Sequence, residues 1–412
     1  YKNQVINSKR MKATKLKLGL KENKFQFGLL VLVNAFVGGM VGLERTLLPE
    51  IAEVELGLES HSAILSFIVA FGFTKAITNY FTGKLSNKIG RKNLLVIGWL
   101  FALPVPLLLI NATSWDTVVF ANILLGINQG LCWSSTVIMK IDLVGQKDRG
   151  LAMGLNEFSG YLAVGIVAFI TSFIANQYGL RPYPFYLGIA ISIAGLLTSI
   201  FAIHETNQHV VLEQVKLIKK PIDNLFLKIT FKHPNLSSAT QAGLINNLND
   251  GMIWGLLPIL LISQNFTSFQ IGLIAGTYPL VWGICQLFTG KMADVYSNKK
   301  ILFWGMLFQG AAIIAMALVN APAMYIVLCV LLGFGTALVY PTFLVVVANN
   351  SAPQQRAESI GIFRLWRDSG YAFGAILSGI LADQFGLLNA ILSIGILTIL
   401  SALVVQFRMT ND

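Results

Sequence analysis

The chain reads as an all-α membrane protein, with twelve transmembrane helices arranged as two parallel six-helix repeats. Three observations carry this reading. Of the 412 residues, 55% are hydrophobic and only 12% charged, about half the charged fraction of a soluble domain. Apolar stretches recur along the whole chain, each long enough to cross a hydrocarbon core about 30 Å thick. Segments of the first half also return in the second at one fixed offset, the mark of an internal duplication.

Apolar windows between charged or turn-rich breaks place the spans at 25–49, 60–83, 92–112, 115–140, 149–176, 183–203, 237–263, 268–291, 299–320, 322–348, 356–383 and 387–408. The one long connection, His204 to Leu236, carries Lys216, Lys219, Lys220, Lys228 and Lys232 and divides the spans six and six. The chain therefore divides into a basic tail (1–24), a first bundle (25–203), a central loop (204–236), a second bundle (237–408) and a short C-terminus (409–412).

The net charge of +11 is explained by topology, and no nucleic-acid partner is expected. With the N-terminus inside, twenty-five of the thirty Lys and Arg fall on the cytoplasmic side, as the positive-inside rule requires. The outer side receives only Arg181, and its first loop is acidic (Glu50, Glu53, Glu55, Glu59). Both termini are expected in the cytoplasm, and the bacterial inner membrane is the expected setting. The tail from Lys2 to Lys24 lacks the apolar core of a cleaved signal. Cys132, Cys285 and Cys329 all lie in apolar spans and read as packing residues, with no metal spacing. There is no Gly-rich phosphate loop, so neither ATP drive nor a cofactor is expected, and the chain does not read as an enzyme.

The repeat is specific. Phe81-Thr82-Gly83-Lys84 returns as Phe288-Thr289-Gly290-Lys291, an offset that also takes Gly126 to Gly333, Arg149 to Arg356 and Gly154 to Gly361. Leu47-Leu48-Pro49 matches Leu256-Leu257-Pro258 with a small slip. Six is even, so both copies enter from the same side. Parallel repeats of this kind are a transporter architecture with a site near the midplane.

The stretch Gly83-Lys84-Leu85-Ser86-Asn87-Lys88-Ile89-Gly90-Arg91-Lys92 resembles the 2–3 loop signature of the major facilitator superfamily. A degenerate second copy runs from Gly290 through Asp294 to Lys300. The resemblance covers essentially the whole chain. It implies alternating access, two halves rocking about a central site, and a monomer. Gly83, Asn87, Gly90, Arg91, Gly290 and Asp294 are the conformational residues it marks. Three departures stand out. Asn87 occupies an acidic position that Asp294 keeps, which weakens the interhelical charge contact the family ascribes there. The Arg that drug/proton antiporters place before Gln129-Gly130 is Gly126, and their fifth-span glycine-proline signature is absent.

Ionisable groups at membrane depth cost about 2.5–3.5 kcal/mol at a helix centre, so each marks a candidate site. In span 11, Arg364, Arg367, Asp368 and Tyr371 share one helical face. A mutually neutralised pair would only lock helices together, but two arginines against one acid leave surplus charge. Span 7 carries Asn246, Asn249 and Asp250, with Trp254 one turn on. Interhelical hydrogen bonding accounts for one asparagine, whereas Asp250 reads as a proton carrier. Glu157 in span 5, beside Asn156 and Tyr161, aligns with Arg367, which suggests a pair across the halves or two poles of a substrate. Lys75 in span 2 has Trp282 as its equivalent in the repeat and reads as cavity-facing rather than snorkelling. Tyr278, Trp282, Trp133 and Tyr340 could line a cavity or simply pack. Glu44 with Arg45 reads as an interfacial pair, and Lys140 with Asp142 as loop anchors.

These residues point to a secondary transporter of a small polar solute, anionic or zwitterionic, moving through the lipid bilayer. Lys75, Arg364, Arg367, Tyr371, Asn246, Trp254, Trp282 and Tyr278 are the expected substrate contacts. Asp250, Glu157 and Asp368 are the expected proton-coupling residues, with H+ as the coupling ion. Export of amphipathic drugs, with purely structural charges, is the rival within the class. A non-transporting receptor on the same fold is the rival outside it.

Overall fold

The computed structural model describes residues 16–45, 47–58, 61–216, 221–266 and 268–410. Among these, every regular element is a helix. Twelve crossings follow in order: α1 (Lys24–Arg45), α2 (His61–Ile89), α3 (Arg91–Ala102, continued by Pro104–Ile110), α4 (Trp115–Val144), α5 (Arg149–Tyr178), α6 (Tyr183–Phe201), α7 (Pro234–Ser263), α8 (Ser268–Val295), α9 (Asn298–Met316), α10 (Pro322–Asn349), α11 (Arg356–Phe385) and α12 (Leu387–Arg408). The twelve expected spans are all present. Several helices run a turn past their apolar windows at the end bearing the basic loops, hereafter the basic end. Ten are long and apolar enough to cross a bilayer over their described residues. The other two are α2 and α11, which carry the charged groups.

Local sequence explains the breaks. α3 is interrupted at Leu103 because Pro104 and Pro106 cannot donate backbone hydrogen bonds. Gly90, at the N-terminus of α3, has φ of 93°, a left-handed geometry that favours glycine. Pro258, Pro279 and Pro341 sit inside α7, α8 and α10.

Helices α1–α6 and α7–α12 form two bundles, and α2 packs on α11 and α5 on α8 between them. The basic end is tightly closed. Every residue of α4 from 128 to 144 and of α10 from 335 to 348 is buried, so these inner halves are enclosed on all sides. Glycines make the closure possible. A Cβ built on Gly83 would lie 2.7 Å from the Cα of Gly361, and one on Gly290 2.8 Å from the Cα of Gly154.

The signature loops stitch the same end. Asp294 accepts from the backbone N–H of Gly150 (2.7 Å) and Leu151 (3.0 Å) at the N-terminus of α5, where the helix dipole favours a carboxylate. At the related position Asn87 donates to the Gln354 carbonyl (2.7 Å) before α11. The uncharged residue keeps a hydrogen bond and gives up the charge–dipole contact. Arg91 pairs with Asp142 at 3.1 Å.

The central loop proves more than a linker. Its helix Asn207–Lys216 brings Glu213 between Arg149 of α5 (2.5 Å) and Arg356 of α11 (2.7 Å). These arginines are the pair that the repeat relates. At the opposite end, Arg181 pairs with Glu55. Glu44 is buried rather than interfacial, while the side chain of Arg45, like Glu59, Lys219 and Lys220, lies outside the described residues.

Candidate functional site

The polar residues within the bilayer converge on one layer between the bundles. α11 supplies its foundation, because positions i, i+3 and i+4 put Arg364, Arg367 and Asp368 on one face. The Nε of Arg367 donates to Oδ1 of Asp368 at 2.6 Å. Its guanidinium lies 4.9 Å from the centroid of Tyr340 and 5.7 Å from that of Phe363, a stacked arrangement arginine favours.

Asp368 is the hub. Its Oδ2 accepts from Asn79 of α2 at 2.6 Å, its Oδ1 from Asn247 of α7 at 3.3 Å, and Lys75 approaches to 4.0 Å. Asn79 in turn accepts from Ser134 of α4 at 2.6 Å, and Ser134 accepts from Arg364 at 2.9 Å. The chain Arg364–Ser134–Asn79–Asp368–Arg367 thus crosses both halves. A buried network of this kind holds its members rigidly when satisfied.

It is not fully satisfied. Arg364 and Arg367 are each 1% exposed. Among the described residues, Nε of Arg364 and Nη1 of Arg367 have no hydrogen-bond partner, and neither has Nε1 of Trp282. A buried donor left unpaired costs about 1–3 kcal/mol. The open donors on Arg364, Arg367 and Trp282 are therefore available to acceptor oxygens.

Glu157 lies in the same layer, accepting on Oε1 from Trp133 (3.3 Å) and Asn156 (2.7 Å), with Oε2 unpartnered. No direct Glu157–Arg367 ion pair forms, because Arg367 is taken by Asp368 next to it in sequence. Lys75 is only 9% exposed. Its amine lies 5.3 Å from the Trp133 ring and 5.5 Å from Phe71, so it is buried among rings instead of opening on a cavity. Lys140 is likewise buried and donates to Asn156; it is no loop anchor.

On the other side, Tyr278 donates its hydroxyl to Asp250 and lies 3.3 Å from the Thr336 hydroxyl. Trp254 packs at 6.3 Å from Tyr278, and Tyr278 stacks on Trp282 at 5.9 Å. Asn249 turns away, donating to Gln309 and accepting from Thr398, the interhelical bonding expected of one asparagine. Among the described residues, Asn246 donates to its neighbour Asn247 alone. Tyr371 packs near Gly72 across the α2–α11 contact.

The layer therefore gathers Lys75, Arg364, Arg367, Asp368 and Glu157, with Asp250, Tyr278 and Trp282 beside them. Ser134 and Asn247 escaped notice in the sequence, where Ser134 stands beside Ser135 and Thr136, and Asn247 between Asn246 and Asn249, with nothing to mark which one faces the layer. Glu213 escaped because it belongs to a loop.

Known proteins agree with this architecture. The family model described as Major Facilitator Superfamily matches residues 29–243 and again 240–412. A multidrug resistance protein MdtG from Citrobacter koseri is 25% identical over 359 residues, covering 85% of this chain and 86% of that protein. The protein of the same name from Salmonella arizonae is 26% identical over the same length. Among solved structures, the human organic anion transporter MFSD10 (TETRAN) superposes with a TM-score of 0.78 at 14% identity, covering 93% of this chain and 99% of that one. The proton:xylose symporter XylE gives 0.73 at 13% identity, covering 94% and 97%. Two successive matches to one family model, on the two halves that the internal repeat defines, are conclusive: this integral membrane protein belongs to the major facilitator superfamily.

Proposed function

We propose that the protein is a proton-coupled secondary transporter of an organic anion, working by alternating access across the bacterial inner membrane. In this reading the basic end faces the cytoplasm, both termini lie there, and the described state is closed on that side. The observation that supports it best is the set of unpartnered N–H groups on Arg364 and Arg367 at mid-membrane. Guanidinium groups offer a planar fork suited to carboxylate or phosphate.

Three carboxylates were expected to carry protons, and their surroundings differ. Asp368 is held by Arg367, Asn79 and Asn247 with Lys75 nearby, which suits a fixed counter-ion. Glu157 has one oxygen without a partner, and Asp250 has a tyrosine hydroxyl for company. Among the described residues, neither of those two is bonded to a guanidinium as Asp368 is, which makes them the better candidates to exchange a proton during transport.

A second reading, export of amphipathic compounds, draws on the multidrug names of the MdtG relatives. Reconstitution separates the two. In proteoliposomes with an imposed pH gradient, the proposal expects accumulation of labelled benzoate faster than in protein-free liposomes, an excess that an uncoupler abolishes. Transport of tetraphenylphosphonium with no transport of any carboxylate would reverse the order of the two readings.

A further inference from the structure

The layer that holds the positive charge is also built of aromatic rings, and the two features meet at the same atoms. Tyr161 and Trp133 from the first half join Trp282, Tyr278 and Tyr340 from the second. Tyr161 and Trp282 have centroids 4.1 Å apart, Trp133 and Tyr161 5.5 Å, and Trp282 and Tyr340 5.0 Å. The hydroxyls of Tyr161 and Tyr340 lie 3.1 Å apart. Tyr161–Trp282 and Tyr161–Tyr340 are thus ring contacts between halves that rock apart in alternating access.

A site for inorganic phosphate or a sugar needs hydroxyl and amide walls to replace the water it strips from a polar solute. Asn79, Asn247 and Ser134 supply such groups but are taken up by Asp368 and Arg364, whereas the unpartnered donors of Arg367 and Trp282 belong to residues that pack on aromatic rings. Arg367 itself lies over Tyr340 and Lys75 over Trp133, so the cations are already solvated by π-systems. Tyr161 and Trp282 are tilted by 44°, so separating them opens a wedge lined by aromatic rings, bordered by the residues that carry the unsatisfied N–H groups. The occupant that matches both is flat and carries a terminal negative charge.

We infer that the transported anion is an aromatic carboxylate, its carboxylate on the open N–H groups of Arg364, Arg367 and Trp282, its ring replacing the Tyr161–Trp282 contact. This rests on the anion reading above and narrows it to a ligand class. It also gives the amphipathic character of the rival reading a physical place, since a ring and a charge are bound by one layer.

Binding to the purified full chain tests it, by thermal shift and tryptophan fluorescence, with 2-naphthoate, cyclohexanecarboxylate, acetate, inorganic phosphate and 2-naphthylmethylammonium as probes. The expected result is 2-naphthoate binding about tenfold more tightly than cyclohexanecarboxylate, and the ammonium not at all. In Tyr161→Leu and Trp282→Leu that preference falls to about twofold or less. Trp282→Phe, which keeps a ring and loses the N–H, weakens 2-naphthoate yet retains the preference; Tyr161→Phe retains both, and these two mild variants stand in should the leucine variants not fold. Equal binding of the two carboxylates, both weakened by Arg367→Gln, would overturn the aromatic assignment and leave the anion reading intact. Preference for the ammonium would overturn both. Tighter binding of phosphate than of any carboxylate would also overturn the aromatic assignment, as would the absence of binding by every probe.

Discussion

Gly83 of α2 and Gly361 of α11 touch backbone to backbone: a Cβ on Gly361 would stand 2.8 Å from the Cα of Gly83. The repeat offset carries Gly83 to Gly290 and Gly361 back to Gly154, and that second pair is just as close. The closed basic end is therefore held by one contact used twice.

Gly83→Val and Gly290→Val should each disfavour this closed state. Overpacking a tight contact costs about 1–3 kcal/mol, enough to shift a two-state balance roughly five- to a hundredfold. Spin-label distances across the basic end should lengthen, and transport should fall by a similar factor. Unchanged distances would show that the glycines are incidental to closure.

Glu213 is expected to act as a clasp between Arg149 and Arg356. Glu213→Gln leaves two buried guanidinium groups without their shared counter-ion, and breaking such a pair costs about 3–5 kcal/mol. A large fall in melting temperature should follow, and adding Arg356→Gln to that variant should recover part of it. Additive losses in the double-variant cycle would argue against the clasp.

Acidification should loosen the same helix. His209, four residues before Glu213, is buried, and burial holds its pKa below the usual histidine range. The folded state thus disfavours the charged ring. Its contribution to stability is complete above about pH 6.5, the unfolded value, and is lost as pH falls towards the lower folded value. Protection factors for amide exchange in Asn207–Lys216, which divide out the intrinsic pH dependence of the exchange rate, should fall below about pH 6.5, and His209→Phe should remove that dependence. Protection factors that do not change with pH would dismiss the role of His209.

Asp368→Asn removes the carboxylate shared by Arg367 and Lys75. Loss of one partner from a buried ionic network costs about 3–5 kcal/mol, so the yield of monodisperse protein should drop sharply. Lys75→Met in the Asp368→Asn background should restore part of that yield. Full yield from the single variant would mean that Asp368 is not the hub.

Much of the fold was legible because bilayer thickness forces long apolar runs and duplication leaves matching words. The spacing of Arg364, Arg367 and Asp368 on one helical face was legible for the same reason. What pairs with what was not. The sequence offers Arg367 two acids, Glu157 by symmetry and Asp368 by adjacency; the structure pairs it with Asp368, to which α2 adds Asn79 and Lys75. Asn246 and Asn249 looked equivalent to Asn247 in composition, yet helical rotation aims Asn247 at the hub. Glu213 depends on how the central loop folds back, which no periodicity records.

In the proposed function, the open N–H groups of Arg364 and Arg367 hold the transported anion. Initial rates of 2-naphthoate counterflow, compared for wild type, Arg364→Gln and Arg367→Gln in the same proteoliposomes, test it most directly. Each substitution should lower the rate at least about tenfold in protein that is still folded, by loss of a charge-assisted hydrogen bond. Wild-type rates from both folded variants would contradict it.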